Sequence, residues 1–151
     1  MEPKLTDKEL SADLAAKLDA YIRNIPDFPK PGILFKDITP ILSDPELCTQ
    51  VVETMAQHFE GKGLDVIVGI ESRGFLFGML LANRLRIPFV PIRKQGKLPA
   101  QTIAQSYDLE YGQATIEIHA DAFAAGARVL IHDDLLATGG TVVAASQLVQ
   151  Q

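Results

Sequence analysis

At 151 residues, 47% apolar and 22% charged, the chain has the composition of one globular domain and not of a disordered segment. Its formal net charge of −5 argues against general nucleic-acid binding, which draws on a basic surface. The single cysteine, Cys48, excludes an internal disulfide and a cysteine metal cage.

The opening MEPKLTDKEL is too charged for the apolar part of a secretory leader. A first helix is expected over TDKELSADLAAKLDAYIR, opened by a capping box of Thr6 with Glu9. Leu10, Leu14, Leu18, Tyr21 and Ile22 fall on its apolar face. NIPDFPKPGILFKDITPIL follows, and its four prolines rule out regular helix. Asp44 and Pro45 read as N-cap and first position of a second helix. Leu47, Val51, Val52, Met55 and Phe59 form its apolar stripe, and GKG ends it.

LDVIVGI reads as a strand covered on both faces, because it is a short, continuous apolar run rich in β-branched residues. ESRG interrupts it, and FLFGMLLANRL is expected as a buried helix. The longest apolar run, around GFLFGMLLA, is too short to cross a bilayer, so no membrane partner is expected and the default location is cytoplasmic. IPFVPIR is the next strand. KQGKLPAQTIAQS has no apolar period and reads as a long mobile loop. TIEIHA alternates like a half-exposed strand, DAFAAGA turns the chain, RVLIHDD is another buried strand and TVVAASQLVQQ begins a helix. Strands alternating with helices imply an α/β domain with a mainly parallel twisted sheet flanked by helices. No repeat or linker divides it.

Ligands of open α/β sheets bind outside the carboxyl ends of the strands, and two such ends carry unusual residues here. The first is GIESRGF. Its glycines have the spacing of a nucleotide phosphate loop, but Phe75 and Leu76 stand where Lys and Ser/Thr are needed. What remains is either a plain strand-to-helix turn with Glu71 as N-cap, or backbone N–H groups beside Arg73 that suit an anion. The second is HDDLLATGGT. Its ATGGT stretch, at a helix start, offers close backbone approach and hydroxyls to a phosphate without any lysine. Asp133 and Asp134 precede it, and ionised carboxylates accept hydrogen bonds from the paired hydroxyls of a ribose. The two loops together suit a sugar with phosphate at both ends, the shape of phosphoribosyl pyrophosphate (PRPP). Five of the fourteen basic residues, Arg84, Arg86, Arg93, Lys94 and Lys97, share one short span, which a solvated face or an anion site would each explain.

With VLIHDDLLATGGT, FPKPGILFKDITP, GIESRGFLFG, IRKQGKLP and SYDLEYG in this order, the chain resembles the type I phosphoribosyltransferase family, and within it the adenine-using branch. The resemblance covers nearly the whole chain. It implies a single domain over residues 1–151, with an N-terminal helix and purine-binding hood segment over 1–40 and a PRPP-binding core over 41–151. It also implies transfer of ribose 5-phosphate from PRPP to adenine in purine salvage, with magnesium bound mainly through PRPP, in a homodimer.

By position, Asp133 and Asp134 would hold the ribose hydroxyls, and Ala137, Thr138, Gly139, Gly140 and Thr141 the 5-phosphate. Glu71, Ser72, Arg73 and Gly74 would form the pyrophosphate loop, with a cis peptide between the first two, aided by Arg93 and Lys97, partly across the dimer interface. Leu34, Phe35 and Lys36 would bind adenine, the ring stacking on the base. Glu110 and Tyr111 would sit on a closing loop, with Glu110 as general acid/base. Gln95 stands where relatives often carry a second basic residue, and His132 replaces an apolar one and reads as a packed or edge histidine, not a catalyst. Relatives continue past the last helix with a further strand and a purine-covering segment, so an incomplete C-terminus, weaker stability and reduced or absent activity are expected of a chain ending at Gln151. A non-catalytic PRPP-binding regulator is the competing class. It would need a DNA-binding module, and the sequence has no helix-turn-helix pair. An inactive fragment is the third reading.

Overall fold

The structure, a computed structural model, describes residues 7–108 and 112–151. Thr6 of the expected capping box, and Glu110 and Tyr111, lie outside the described residues. The chain divides into two compact units, one ending at Gln57 and one beginning at His58.

The first unit holds helix α1 (Asp7–Tyr21), the antiparallel hairpin β1 (Arg23–Pro26) and β2 (Leu34–Asp37), and the short helix α2 (Thr39–Leu42). Helix α3 (Pro45–Phe59) starts here. The proline-rich segment is therefore not regular helix, but it does contain a hairpin and one helical turn. Its prolines sit where a missing N–H costs little: Pro26 at a strand end opposite Leu34, and Pro40 in the first turn of α2. The hairpin loop is closed by the Gly32 N–H, which donates to Asp27 Oδ1 at 2.7 Å, with Gly32 at φ 85°. The start of α3 is as expected. Asp44 Oδ1 accepts the N–H groups of Glu46 and Leu47, each at 3.0 Å, satisfying two of the helix's orphan donors. Leu47 and Val52 of the expected stripe are buried, and Ala56 with them.

The second unit carries β3 (Val66–Ile70), α4 (Gly74–Leu85), β4 (Phe89–Lys94), β5 (Thr102–Asp108), β6 (Gln113–His119), β7 (Val129–His132) and α5 (Gly140–Val149). The strand order is β5-β6-β4-β3-β7. β4, β3 and β7 are parallel, while β6 runs antiparallel to β4 and to β5, so the parallel core continues into an antiparallel edge. β3 lies between two parallel partners and all five of its residues are buried, which is what its unbroken apolar run requires. Val66, Val68, Ile70, Ile92, Ile116, Ile118, Ala144, Ala145 and Leu148 form the core between sheet and α5.

Four expectations change. Residues 102–106, read as part of a mobile loop, lie in β5 and pair with β6 from Thr102↔His119 onward. The ladder supplies the order that the polar side chains did not signal. β6 is not simply half-exposed, because Ile116, Glu117 and Ile118 are buried in succession. α4 is not buried all round, since Leu76, Met79 and Leu80 are 40%, 51% and 45% exposed. β7 is half-buried along its length. No helix among the described residues is long and apolar enough to cross a membrane.

Candidate active site

The site follows from strand register. β3 and β7 are parallel neighbours with Gly69 opposite His132, so the segments leaving their carboxyl ends, 71–74 and 133–141, emerge side by side. They enclose a cavity of about 180 Å³ lined by Glu71, Ser72 and Arg73 from one loop and Asp133 to Val142 from the other.

The loops are fixed to each other through backbone. His132 Nδ1 lies 2.9 Å from the Gly74 carbonyl oxygen and donates to it. His132 is thus the packed histidine expected from sequence. Gly74 is buried where a Cβ would stand 2.7 Å from the His132 carbonyl oxygen and 3.2 Å from Asp133 Oδ1, so only glycine allows this approach. The Glu71–Ser72 peptide is cis, as the resemblance implied.

Glu71 does not cap α4. The N-cap of α4 is Arg73, and the Glu71 carboxylate instead gathers cations from β4 and the loop after it. Its Oε1 takes Lys97 Nζ at 2.7 Å. Its Oε2 takes Arg93 Nε at 3.2 Å and the Lys94 N–H at 2.9 Å. Burial alone would raise the carboxyl pKa, but Lys97, the Lys94 N–H and Arg93 outweigh it and hold it at about 2. Arg93 and Lys97, members of the basic cluster, are therefore brought beside the 71–74 loop within one chain.

The two aspartates differ. Asp134 is nearly buried and accepts from Arg73 Nε at 3.1 Å, so the loops are also joined by charge. Asp133 turns its Oδ1 back to the Asp134 N–H at 2.9 Å. Burial first, and then the carboxylate of Asp134, push its pKa up to about 6, against the pull of the Asp134 N–H and His132.

Beyond the aspartates, Gly139 at φ 83° starts α5 and gives it no side-chain cap. The first-turn N–H groups of α5 therefore meet the cavity at the positive end of the helix. Thr141 Oγ1 donates to Tyr107 Oη at 3.2 Å, tying this loop to the end of β5.

The expected adenine residues lie in the first unit. Leu34, Phe35 and Lys36 are on β2, with Leu34 56% exposed and Phe35 meeting Phe28 edge to face at 5.2 Å between centroids. Glu110 and Tyr111 lie outside the described residues.

Two residues beside the site escaped the sequence reading. Tyr107 lies in SYDLEYG but carries no local signal of its contact with Thr141. Glu117, 5% exposed, looked like the outward residue of an alternating strand, yet it accepts the N–H groups of Lys97 and Leu98 at 3.1 and 3.0 Å.

No cluster of three or more metal-ligating side chains occurs among the described residues. A pair of carboxylates at a cavity would suit a magnesium ion held mainly by a ligand's oxygens, because magnesium retains waters and takes few protein carboxylates.

Two parallel strands thus deliver a carboxylate pair, an uncapped helix start and a cation-gathering loop to one strand-end cavity of an α/β domain. The family model described as a phosphoribosyl transferase domain matches residues 37–151. Adenine phosphoribosyltransferase of Thermobifida fusca is 52% identical over 142 residues, 94% of this chain and 81% of that one. The crystal structure of adenine phosphoribosyltransferase from Rhodothermus marinus superposes with a TM-score of 0.86 at 54% identity, covering 92% of this chain and 79% of that one. The Saccharomyces cerevisiae enzyme, solved with an imino-altritol bisphosphate and adenine, gives a TM-score of 0.89 at 44% identity, covering 93% and 82%. The chain belongs to the adenine phosphoribosyltransferase family.

Proposed function

We propose that the protein transfers ribose 5-phosphate from PRPP to adenine, giving AMP and pyrophosphate in purine salvage. The observation that carries this is the meeting of the 71–74 and 133–141 loops around one cavity. Bonded to its substrate, such a site needs an acceptor pair for the ribose hydroxyls, and Asp133 and Asp134 supply it. The N–H groups from Ala137 to Thr141, at the α5 start, receive the 5-phosphate, with the Thr138 and Thr141 hydroxyls. Ser72, Arg73 and Gly74 receive the pyrophosphate. Glu71 acts on it indirectly, by setting the position of Arg93 and Lys97.

The C1′–oxygen bond to pyrophosphate breaks as a purine ring nitrogen bonds to C1′. The sugar carries positive charge between the two events, and the ionised aspartates beside it favour that charge. Glu110 takes the proton that adenine loses. Tyr111 closes with it, so that water does not intercept PRPP. Magnesium, when bound, offsets the charge of the leaving pyrophosphate. Phe35 stacks on adenine, while backbone groups near Leu34 match its ring acceptor and amino donor, with Lys36 flanking them. A 6-oxo purine presents the opposite pattern and leaves both groups unpaired.

The domain layout implied by the resemblance, a purine-binding hood over residues 1–40 and a PRPP-binding core over 41–151, belongs to the same proposal. So do a cytoplasmic location and a homodimer, the latter supported by the exposed Leu76, Met79 and Leu80 on α4.

The test is pyrophosphate release from PRPP with adenine, compared with hypoxanthine, guanine and orotate. Adenine is expected to be preferred. Equal or better use of a 6-oxo purine refutes the base assignment, and PRPP binding without turnover points to a regulator.

A further inference from the structure

Glu117 is a buried charged residue, 5% exposed, and it is not in the cavity. Glu117 lies on β6, opposite Arg93 of β4 and Ala104 of β5. Its Oε1 accepts the N–H groups of both Lys97 and Leu98, and its Oε2 faces the Thr102 hydroxyl at 3.5 Å. An acceptor-only group here satisfies consecutive donors of a loop that has no ladder partner of its own.

The same loop carries Lys97, one of the two side-chain cations on Glu71, the other being Arg93 of β4. Lys97 extends its Nζ to Glu71 Oε1 at 2.7 Å. Its carbonyl oxygen accepts from Arg93 Nη1 at 3.3 Å, while Arg93 Nε reaches Glu71 Oε2. A chain of direct contacts thus runs from Glu117 through the Lys97 backbone to Arg93, Glu71 and the cis peptide of the 71–74 loop.

We propose that Glu117 is a positioning residue for pyrophosphate. By fixing the backbone of the 96–98 turn, it aims Lys97 and Arg93 at the 71–74 loop, without touching substrate itself. This rests on the PRPP-binding reading above. The Leu98 N–H foremost, with those of Gly96 and Lys97 and the Thr102 hydroxyl, holds the Glu117 carboxyl below its ordinary value despite burial, so the acceptor stays ionised.

The experiment is PRPP binding by calorimetry without adenine, alongside steady-state kinetics, for wild type, Glu117→Leu and Glu117→Gln. Glu117→Leu keeps the volume and removes every acceptor. It is expected to raise both the dissociation constant and the KM for PRPP ~10-fold, with the KM for adenine within ~2-fold. Glu117→Gln keeps one carbonyl acceptor for the paired N–H groups and is expected to recover most of the loss. In a Lys97→Ala background the Glu117→Leu step is expected to shrink below the factor seen in wild type, because the two residues act in series. A wild type that binds no PRPP removes the PRPP-binding reading and this proposal with it. A wild type that binds PRPP, with folded Glu117→Leu showing full additivity with Lys97→Ala or equal losses in both KM values, overturns the positioning role alone. If Glu117→Leu does not fold, Glu117→Met, which also lacks an oxygen acceptor, takes its place in the cycle.

Discussion

Arg73 Nε lies 3.1 Å from Asp134 Oδ2, joining the two loops of the site across their cavity. The pair offsets the charge of one carboxylate of the aspartate pair. Arg73 is about a third exposed, so the attraction is partly screened by solvent. In a double-mutant cycle of Arg73→Ala and Asp134→Asn, measured by urea unfolding, the coupling is expected to be ~1 kcal/mol. Full additivity would remove the pair as a structural link. Arg73→Ala is also expected to weaken PRPP binding, since it deletes a cation of the proposed pyrophosphate site.

Gly74 makes the second link. A methyl group there meets the His132 carbonyl oxygen at 2.7 Å, which is backbone and cannot swing aside. Gly74→Ala therefore has to push the start of α4 away from β7. The expected cost is about 2 kcal/mol of stability, read as a lower urea midpoint, with PRPP affinity falling in the same variant. An unchanged midpoint would show that the loops separate more easily than their contact implies.

Glu71 adds a pH signature. Its folded pKa, about 2, lies below the ordinary 4.5, so its contribution to stability is present above the unfolded value and is lost as pH falls through the folded one. Glu71→Gln is expected to be less stable than wild type at neutral pH by roughly 1–2 kcal/mol. The gap should narrow from about pH 4.5 downward. Urea midpoints of both proteins across the acid range test this, and a constant gap would refute it.

The parts of this molecule legible in sequence are those where one residue answers to its neighbours. Asp44 before Pro45 announced a helix start because capping is local. The run from Val66 to Ile70 announced a covered strand because burial on both faces leaves no polar position. The acid pair and ATGGT stretch announced a single loop lining a cavity because they lie in one segment after a buried strand's end. β5 and Glu117 were not legible, and for one reason. The partners of Glu117, the Lys97 and Leu98 N–H groups, come from a loop about twenty residues away, and β5 is held by its ladder to β6. Nor did sequence separate the duties of Glu71, which reads as a loop residue but works as an acceptor for cations from the next strand and the loop after it.

Asp133 gives the prediction with opposite sign to Glu71. Its folded pKa is raised to about 6, chiefly by burial and then by Asp134. For a raised pKa, the stabilising contribution is full below the unfolded value of 3.8 and is lost as pH rises through the folded value. The residue is only half-buried, so solvent screening reduces the effect to roughly 1 kcal/mol. Asp133→Asn is expected to be more stable than wild type at neutral pH and to lose that advantage toward about pH 4. Binding runs the other way. A ribose hydroxyl needs an acceptor, and protonated Asp133 offers less of one, so PRPP affinity should rise as pH passes upward through about 6. Asp134→Asn separates the causes. It removes the like charge but not the burial, so it should shift the midpoint of that binding profile downward without returning it to the ordinary aspartate value. Calorimetric PRPP titrations between about pH 5 and 8 measure this. A profile that is flat in wild type, or a midpoint unmoved by Asp134→Asn, would detach Asp133 from the ribose and from its neighbour.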